Sequence, residues 1–274
     1  MMHRIILALA LMATVSVAGL TYYDNVTLIG TADGVNYYDL SGAVAPVDVG
    51  TPLAWWQMTA TGTNATQILD FSTSEAYPAD FKPSVASGPV LVTTNGSYYL
   101  FAGEQYFDAV DENAFDFGTN TAFSISCWLN WTGSKAESIV AKQKLTGPNF
   151  EGFNCHTETG GLLSFQLVGN SGGVNNNKII TVASVSGWTH AVFVYRKGTD
   201  PANMEIWMDG ANQAVTTNAS ILSSASFANS IPLQIGSRGG INNLALTGFL
   251  DDVRVFTNDL TSTQISNIFT EGRQ

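Results

Sequence analysis

From Leu53 onward the chain alternates short apolar or apolar-polar runs with clusters of Gly, Asn, Ser, Pro and Asp. The runs LAWWQM, SYYLFAG, AFSISCWLNW, SIVAKQ, LLSFQLVG, IITVAS, THAVFVYRK, MEIWMDG, PLQIGS and FLDDVRVF are of strand length and rich in β-branched and aromatic residues. Turn clusters interrupt them too often for helices, so the pattern predicts an all-β fold, an antiparallel two-sheet sandwich. One segment departs from it. Thr261 is followed three residues later by Gln264, a capping box, and Ile265, Ile268 and Phe269 then form one apolar stripe before Gly272. That spacing predicts one short C-terminal helix packed on the sandwich. No internal repeat suggests a solenoid or propeller.

The first residues, MMHRIILALALMATVSVAG, carry one basic residue ahead of an apolar run and small residues at Ser16 and Ala18. This is the layout of a secretory signal peptide, expected over residues 1–18, and implies a secreted or cell-surface protein. The run is short for a membrane span, and no second apolar segment of spanning length follows. Residues 19–50 read as a Tyr-rich arm and linker. Two Tyr-Tyr-Asp triplets flank Asp33-Gly34, a hairpin signal, and the segment SGAVAPVDVGTP ends the arm. Residues 51–274 form the main domain.

Charge narrows the function classes. The 274 residues include 22 Asp and Glu against 11 Lys and Arg, a formal net charge of -11, with no basic face to gather a phosphate backbone. Nucleic acid is therefore not an expected partner. The two cysteines, Cys127 and Cys155, are spaced for neighbouring antiparallel strands, and both a disulfide and two buried thiols remain open. Sequons begin at Asn25, Asn64, Asn95, Asn130 and Asn218, and the Asn/Gly-rich stretch GNSGGVNNN reads as a surface hairpin loop, either a solvated turn or a ligand rim.

Five pieces in order resemble the laminin-G-like branch of the concanavalin A-like jelly-roll superfamily. They are LAWWQM with ILDFST, TAFSISCWLNW, WTHAVFVYRKGTDPANMEIWMDG, LQIGSRGG, and LTGFLDDVRVFTNDLTSTQI. The resemblance implies a jelly-roll sandwich from about Leu53 to Glu271. It also implies that the acidic pair Asp251-Asp252 lies beside the first strand, where such carboxylates orient loops or bind a structural Ca²⁺. Asp70 of the D-x-S turn would then join them in a shell of hard oxygens. The other reading turns one Asp toward solvent or Arg254 and lets its neighbour accept backbone N–H bonds.

Catalytic signatures are absent from the sequence. A retaining glucanase similar to this family would carry E-x-D-x-E on one strand, and none occurs. Glu104, Asp108, Asp111, Glu112 and Asp116 read as a solvated edge, His190 as a packed histidine, and His156 as too isolated for a zinc site. The expectation is a non-catalytic recognition module binding a glycan or surface glycoprotein. Trp56, Tyr99 and Arg238 are its candidate contacts, because each adjacent aromatic pair turns one ring outward. The alternative is a structural subunit of an extracellular filament, coat or virion appendage that self-assembles by adding its Tyr-rich arm to a neighbour's sheet.

Overall fold

A computed structural model describes residues 27–32, 35–39, 48–58, 67–82, 88–93, 96–109, 113–145, 150–169, 176–220, 226–239 and 244–273. The chain divides into two compact units, Met1–Asp48 and Val49–Gln274. In the first, β1 (Thr27–Ala32) and β2 (Val35–Asp39) pair antiparallel about the Asp33-Gly34 position as a separate two-stranded sheet. The expected signal segment, the linker at 40–47, the loop at 170–175 and the sequon asparagines Asn25, Asn64 and Asn95 lie outside the described residues. Among the described residues no helix is long and apolar enough to cross a membrane.

The second unit is a sandwich of two antiparallel sheets. The nine-stranded sheet runs β17 (Val215–Ser220), β13 (Asn176–Ser184), β12 (Leu162–Val168), β11 (Gly152–Thr157), β10 (Glu137–Gln143), β18 (Gln234–Ile235), β8 (Tyr106–Ala109), β5 (Ala79–Lys82), β4 (Gln67–Ile68). The eight-stranded sheet runs β16 (Ala211–Asn212), β15 (Met204–Met208), β14 (Trp188–Tyr195), β9 (Phe123–Trp131), β19 (Thr247–Phe256), β7 (Tyr98–Ala102), β6 (Val90–Val92), and β3 (Ala54–Trp56) also pairs with β19.

Alternation along each strand sends one set of side chains between the sheets. On β9, Phe123, Ile125, Cys127 and Leu129 point inward and meet Phe153, Phe165, Phe193 and Tyr195 in one buried cluster. The outward set, Ser124, Ser126 and Trp128, is buried as well. The cause is α1 (Ser262–Glu271), which lies on this outer face with Ile265 and Ile268 packed against Val192, Val194 and Phe256. Its N-terminus is closed as its sequence predicts: Thr261 accepts from the Gln264 backbone and the Gln264 side chain accepts from the Thr261 backbone.

Two expectations are corrected here. Cys127 and Cys155 do not sit on neighbouring strands; they lie on facing sheets, β9 and β11, as free buried thiols. Burial pushes the Cys127 thiol up to about 12, which keeps it protonated and unreactive. The acidic stretch around Asp108 is likewise no solvated edge. Asp108 sits on β8, an interior strand between β18 and β5, with its side chain 16% exposed. Asp116 pairs with the buried Lys142 at 3.0 Å, Glu104 is exposed, and Asp111 and Glu112 lie outside the described residues.

Candidate binding site on the nine-stranded sheet

The expected aromatic contacts fall on the wrong side of the sheet. Trp56 is 0% exposed and Tyr99 is 1% exposed. Trp56 faces inward opposite Val253 and gives its indole N–H to the Tyr77 carbonyl at 2.9 Å, while Tyr99 packs edge-on against Phe81 and Phe107. The outward members of the two pairs are Trp55 and Tyr98, both half-buried. A period of two states that one ring of each pair points outward, but not which one.

The acidic residues separate in the same way. Asp70 accepts the backbone N–H groups of Trp55, Ser72 and Tyr77 at 2.9, 2.8 and 3.1 Å and the Ser72 hydroxyl at 2.8 Å, so its oxygens tie the opening turn together. Asp252 occupies a β-bulge with φ 51, a left-handed conformation that Asp tolerates better than most residues. The bulge turns its carboxylate onto Arg254, whose Nε and Nη2 donate at 3.1 and 2.9 Å, and the Trp55 indole N–H donates to it too. Asp251 points outward, is 0% exposed and accepts no well-formed hydrogen bond. Burial and the neighbouring Asp252 push its carboxyl up to about 8. Asp70 and Asp252 already have donors on their oxygens, and among the described residues no group of three or more acidic, His or Cys side chains suited to a metal brings the three carboxylates together.

A polar row, interrupted by Ala141, crosses the outer face of the nine-stranded sheet. Successive ladder partners run Gln67, Asp80, Asp108, Gln234, Ala141, Asn154, Gln166, Lys178 and Asn218. Directly opposed side chains in neighbouring strands lie close enough to interact, so the row forms one chemical surface. Gln234 donates to Asp108 at 2.9 Å and Gln67 to Asp80 at 2.9 Å, and Lys82 lies 3.7 and 3.9 Å from the two carboxylates. Burial, with Asp80 adding to it, raises the Asp108 carboxyl above its ordinary range. Beside the row, Glu158 is held down to about 2 by His156 and Lys178, both bonded to it, and burial lowers the His156 imidazole.

A cleft of about 260 Å³ opens at one end of this face, lined by Phe150, Gln166, Val168, Asn176 and Arg238. Phe150 is 51% exposed at its rim. Arg238 reaches over β10 to donate to Gln143 Oε1 at 2.8 Å, and Gln166 donates to Asn176 at 3.1 Å. Of the three aromatic and arginine contacts expected from the sequence, Arg238 is the one on this surface. Asn154, Gln143 and Gln166 are not among those expected contacts. The signal for Asn154 and Gln166 is present in the alternation of FNCH and LSFQL, whose polar members share one parity, but such members ordinarily face water. Here Asn154 is 0% exposed, and among the described residues neither its Oδ1 nor its Nδ2 has a hydrogen-bond partner; Gln143 Nε2 lacks one too.

His190 is fully buried beside the rings of Trp128 and Phe269. Its Nε2 bonds Ser126 Oγ at 2.8 Å, and burial, aided by Arg254, lowers it to about 3.

The family model described as the concanavalin A-like lectin/glucanases superfamily, of laminin-G type, matches residues 101–266, more than half of the chain. The chain belongs to this superfamily. Among solved structures, the binding domain of botulinum neurotoxin serotype G superposes with a TM-score of 0.56 at 13% identity, covering 80% of this chain and 51% of that one. The binding domain of Paraclostridial mosquitocidal protein 1 gives 0.57 at 14% identity, covering 81% and 52%. Trypanosoma rangeli sialidase, in its covalent complex with a difluorosialic acid, gives 0.56 at 12% identity, covering 83% and 34%. At such identities the likeness is one of fold. The chain spans about half the length of the toxin domains and about a third of the sialidase. No curated protein matches the sequence.

Proposed function

We propose that the chain is an exported, non-catalytic recognition module that binds a neutral saccharide on the outer face of the nine-stranded sheet. The observation that carries this reading is the buried, unpartnered amide of Asn154. A buried amide without partners costs about 1–3 kcal/mol, a cost that hydrogen bonds to a ligand would offset. Adjacent sugar hydroxyls each donate and accept, which is the complement of an Asn Oδ1 and Nδ2 side by side. Gln166, next to it in the row and lining the cleft, is half-buried. Phe150 supplies an exposed ring at the rim for the C–H face of a pyranose. The net charge of -11 disfavours polyanionic glycans.

Glycan-array binding followed by calorimetry on the full chain tests this. Saturable binding to a saccharide is expected, weakened at least about tenfold, or ~1.4 kcal/mol, in both Gln166→Ala and Arg238→Ala, with melting temperatures little changed. Absence of saccharide binding, or binding indifferent to both substitutions, refutes the assignment.

Asn154→Leu gives a second expected result. Leucine has nearly the shape of asparagine and no polar atoms, so stability should rise by about 1–2 kcal/mol in urea denaturation while saccharide binding is lost. A loss of stability would mean that the amide is satisfied in solution.

A further inference from the structure

The outer face of the other sheet carries a second arrangement of a different chemistry. Asp251 projects from β19 opposite Trp128 of β9, and its carboxylate is buried without a well-formed hydrogen bond. Around it stand the rings of Trp188 on β14, Tyr98 on β7 and Phe249 on β19. Tyr98 meets Trp188 and Phe249 edge-on at 5.3 Å between centroids in each pair. One buried acid beside the faces of a Trp and a Tyr is a receptor for an organic cation: the rings offer their negative faces and the acid a countercharge.

The occupant is part of the same chain. Gly272 ends α1 with φ 76, a left-handed turn that favours glycine, and the next residue is brought back across the sheet. The Arg273 guanidinium carbon lies 4.0 Å from the Trp188 ring centroid and 5.5 Å from that of Tyr98, and its Nη1 is 3.7 Å from Asp251 Oδ2. Gly96 closes the remaining side, where a Cβ would come within 3.3 Å of Arg273 Nη2. The fit is to a flat, delocalised cation, since guanidinium stacks on indole where a rounded ammonium does not.

We propose that Asp251, Trp188 and Tyr98 form a binding site for alkylguanidinium groups, filled in cis by Arg273 and open to the arginine of a partner polypeptide when Arg273 leaves. The site lies on the opposite sheet from the proposed saccharide surface and does not depend on it. An arginine presented on a peptide competes with Arg273 at its effective concentration, so the intact chain binds such a peptide weakly.

The test uses full-length protein and N-acetyl-arginine methylamide as the probe, at pH 9 so that Asp251 is ionised. Binding is read by calorimetry and by the NMR shift of the Trp188 indole N–H. Arg273→Ala is expected to bind in the millimolar range, at least about tenfold tighter than the unaltered chain. Adding Asp251→Asn, an isosteric change, is expected to remove that gain. N-acetyl-lysine methylamide should bind Arg273→Ala several-fold more weakly than the arginine probe. If Arg273→Ala binds no better than the parent, if the gain survives Asp251→Asn, or if the lysine probe binds equally well, the proposal is overturned.

Discussion

Replacing Arg254 by methionine is expected to cost about 3–5 kcal/mol, a large fraction of the stability of an ordinary domain. Arg254 is 2% exposed, and its guanidinium is divided between Asp252 and Glu271, with Nη1 donating to Glu271 Oε2 at 2.9 Å. Its carbon also sits 4.4 Å from the Trp55 ring centroid. Methionine preserves much of the stem that packs on Trp55 and removes the charge alone. What remains is the Asp252 carboxylate, 0% exposed, with only the indole N–H of Trp55 to offset its desolvation. The high cost thus belongs to stranding a charge rather than to the worth of the pair. The double variant Arg254→Met, Asp252→Asn should accordingly recover at least about 2 kcal/mol. Urea denaturation of the four members of this cycle, with unchanged m-values, measures the coupling. An additive cycle would show that Asp252 is not confined to Arg254 in solution.

This arrangement also explains why the closing strand tolerates two adjacent carboxylates, and why the sequence leaves the matter open. The run GFLDDVRVF shows alternation interrupted by Asp-Asp. The interruption is a bulge: an extra residue shifts the register between Asp251 and Arg254, so that Leu250 and Val253 both face the core although they are three apart. No period-two reading can place a bulge, because the only local sign is the break itself.

Much else is legible. The strands β3, β7, β9, β10, β12, β14, β15 and β19 appear where hydrophobic runs predict them, because each buries at least one face and is bounded by turn residues. The helix is legible to the residue, since capping is local chemistry: Thr261, Gln264 and Gly272 act through neighbours a few positions away. The strands β4, β5, β6 and β8 are hidden. They are only two to four residues long, and β8 mixes Tyr, Phe and Asp because its outer side joins the polar row. The row itself is a product of register across nine strands, which is non-local information. Asn154, Gln166 and Lys178 become neighbours only after pairing, and no spacing along the chain announces them.

The second large effect concerns Asp251 and depends on pH. Its folded carboxyl is raised to about 8 against an ordinary value of 3.8, first by burial and then by Asp252, with Arg273 acting in the other direction. The folded state therefore retains a proton that the unfolded chain releases above about pH 4. Because the unfolded state binds fewer protons across this window, Asp251 lowers stability progressively as pH rises from about 4 to about 8, and the penalty is constant above that. Asparagine carries no such penalty and fits the same space. Each pH unit between the two values corresponds to about 1.36 kcal/mol, and relaxation and water penetration around the carboxylate reduce the total. Asp251→Asn is thus expected to be nearly neutral at pH 4 and to stabilise by about 3 kcal/mol at pH 8. Other perturbed groups, Asp108 among them, titrate in both proteins, so the difference between the two stability curves isolates Asp251. His190, lowered to about 3, contributes no folded-state titration above pH 4. Paired urea melts at unit steps from pH 4 to 9 would show the gain opening with pH; a gain flat across this range would place Asp251 in an ordinary ionised state. A carboxylate that ionises beside aromatic rings is best offset by a cation held against their faces, the place Arg273 takes over Trp188.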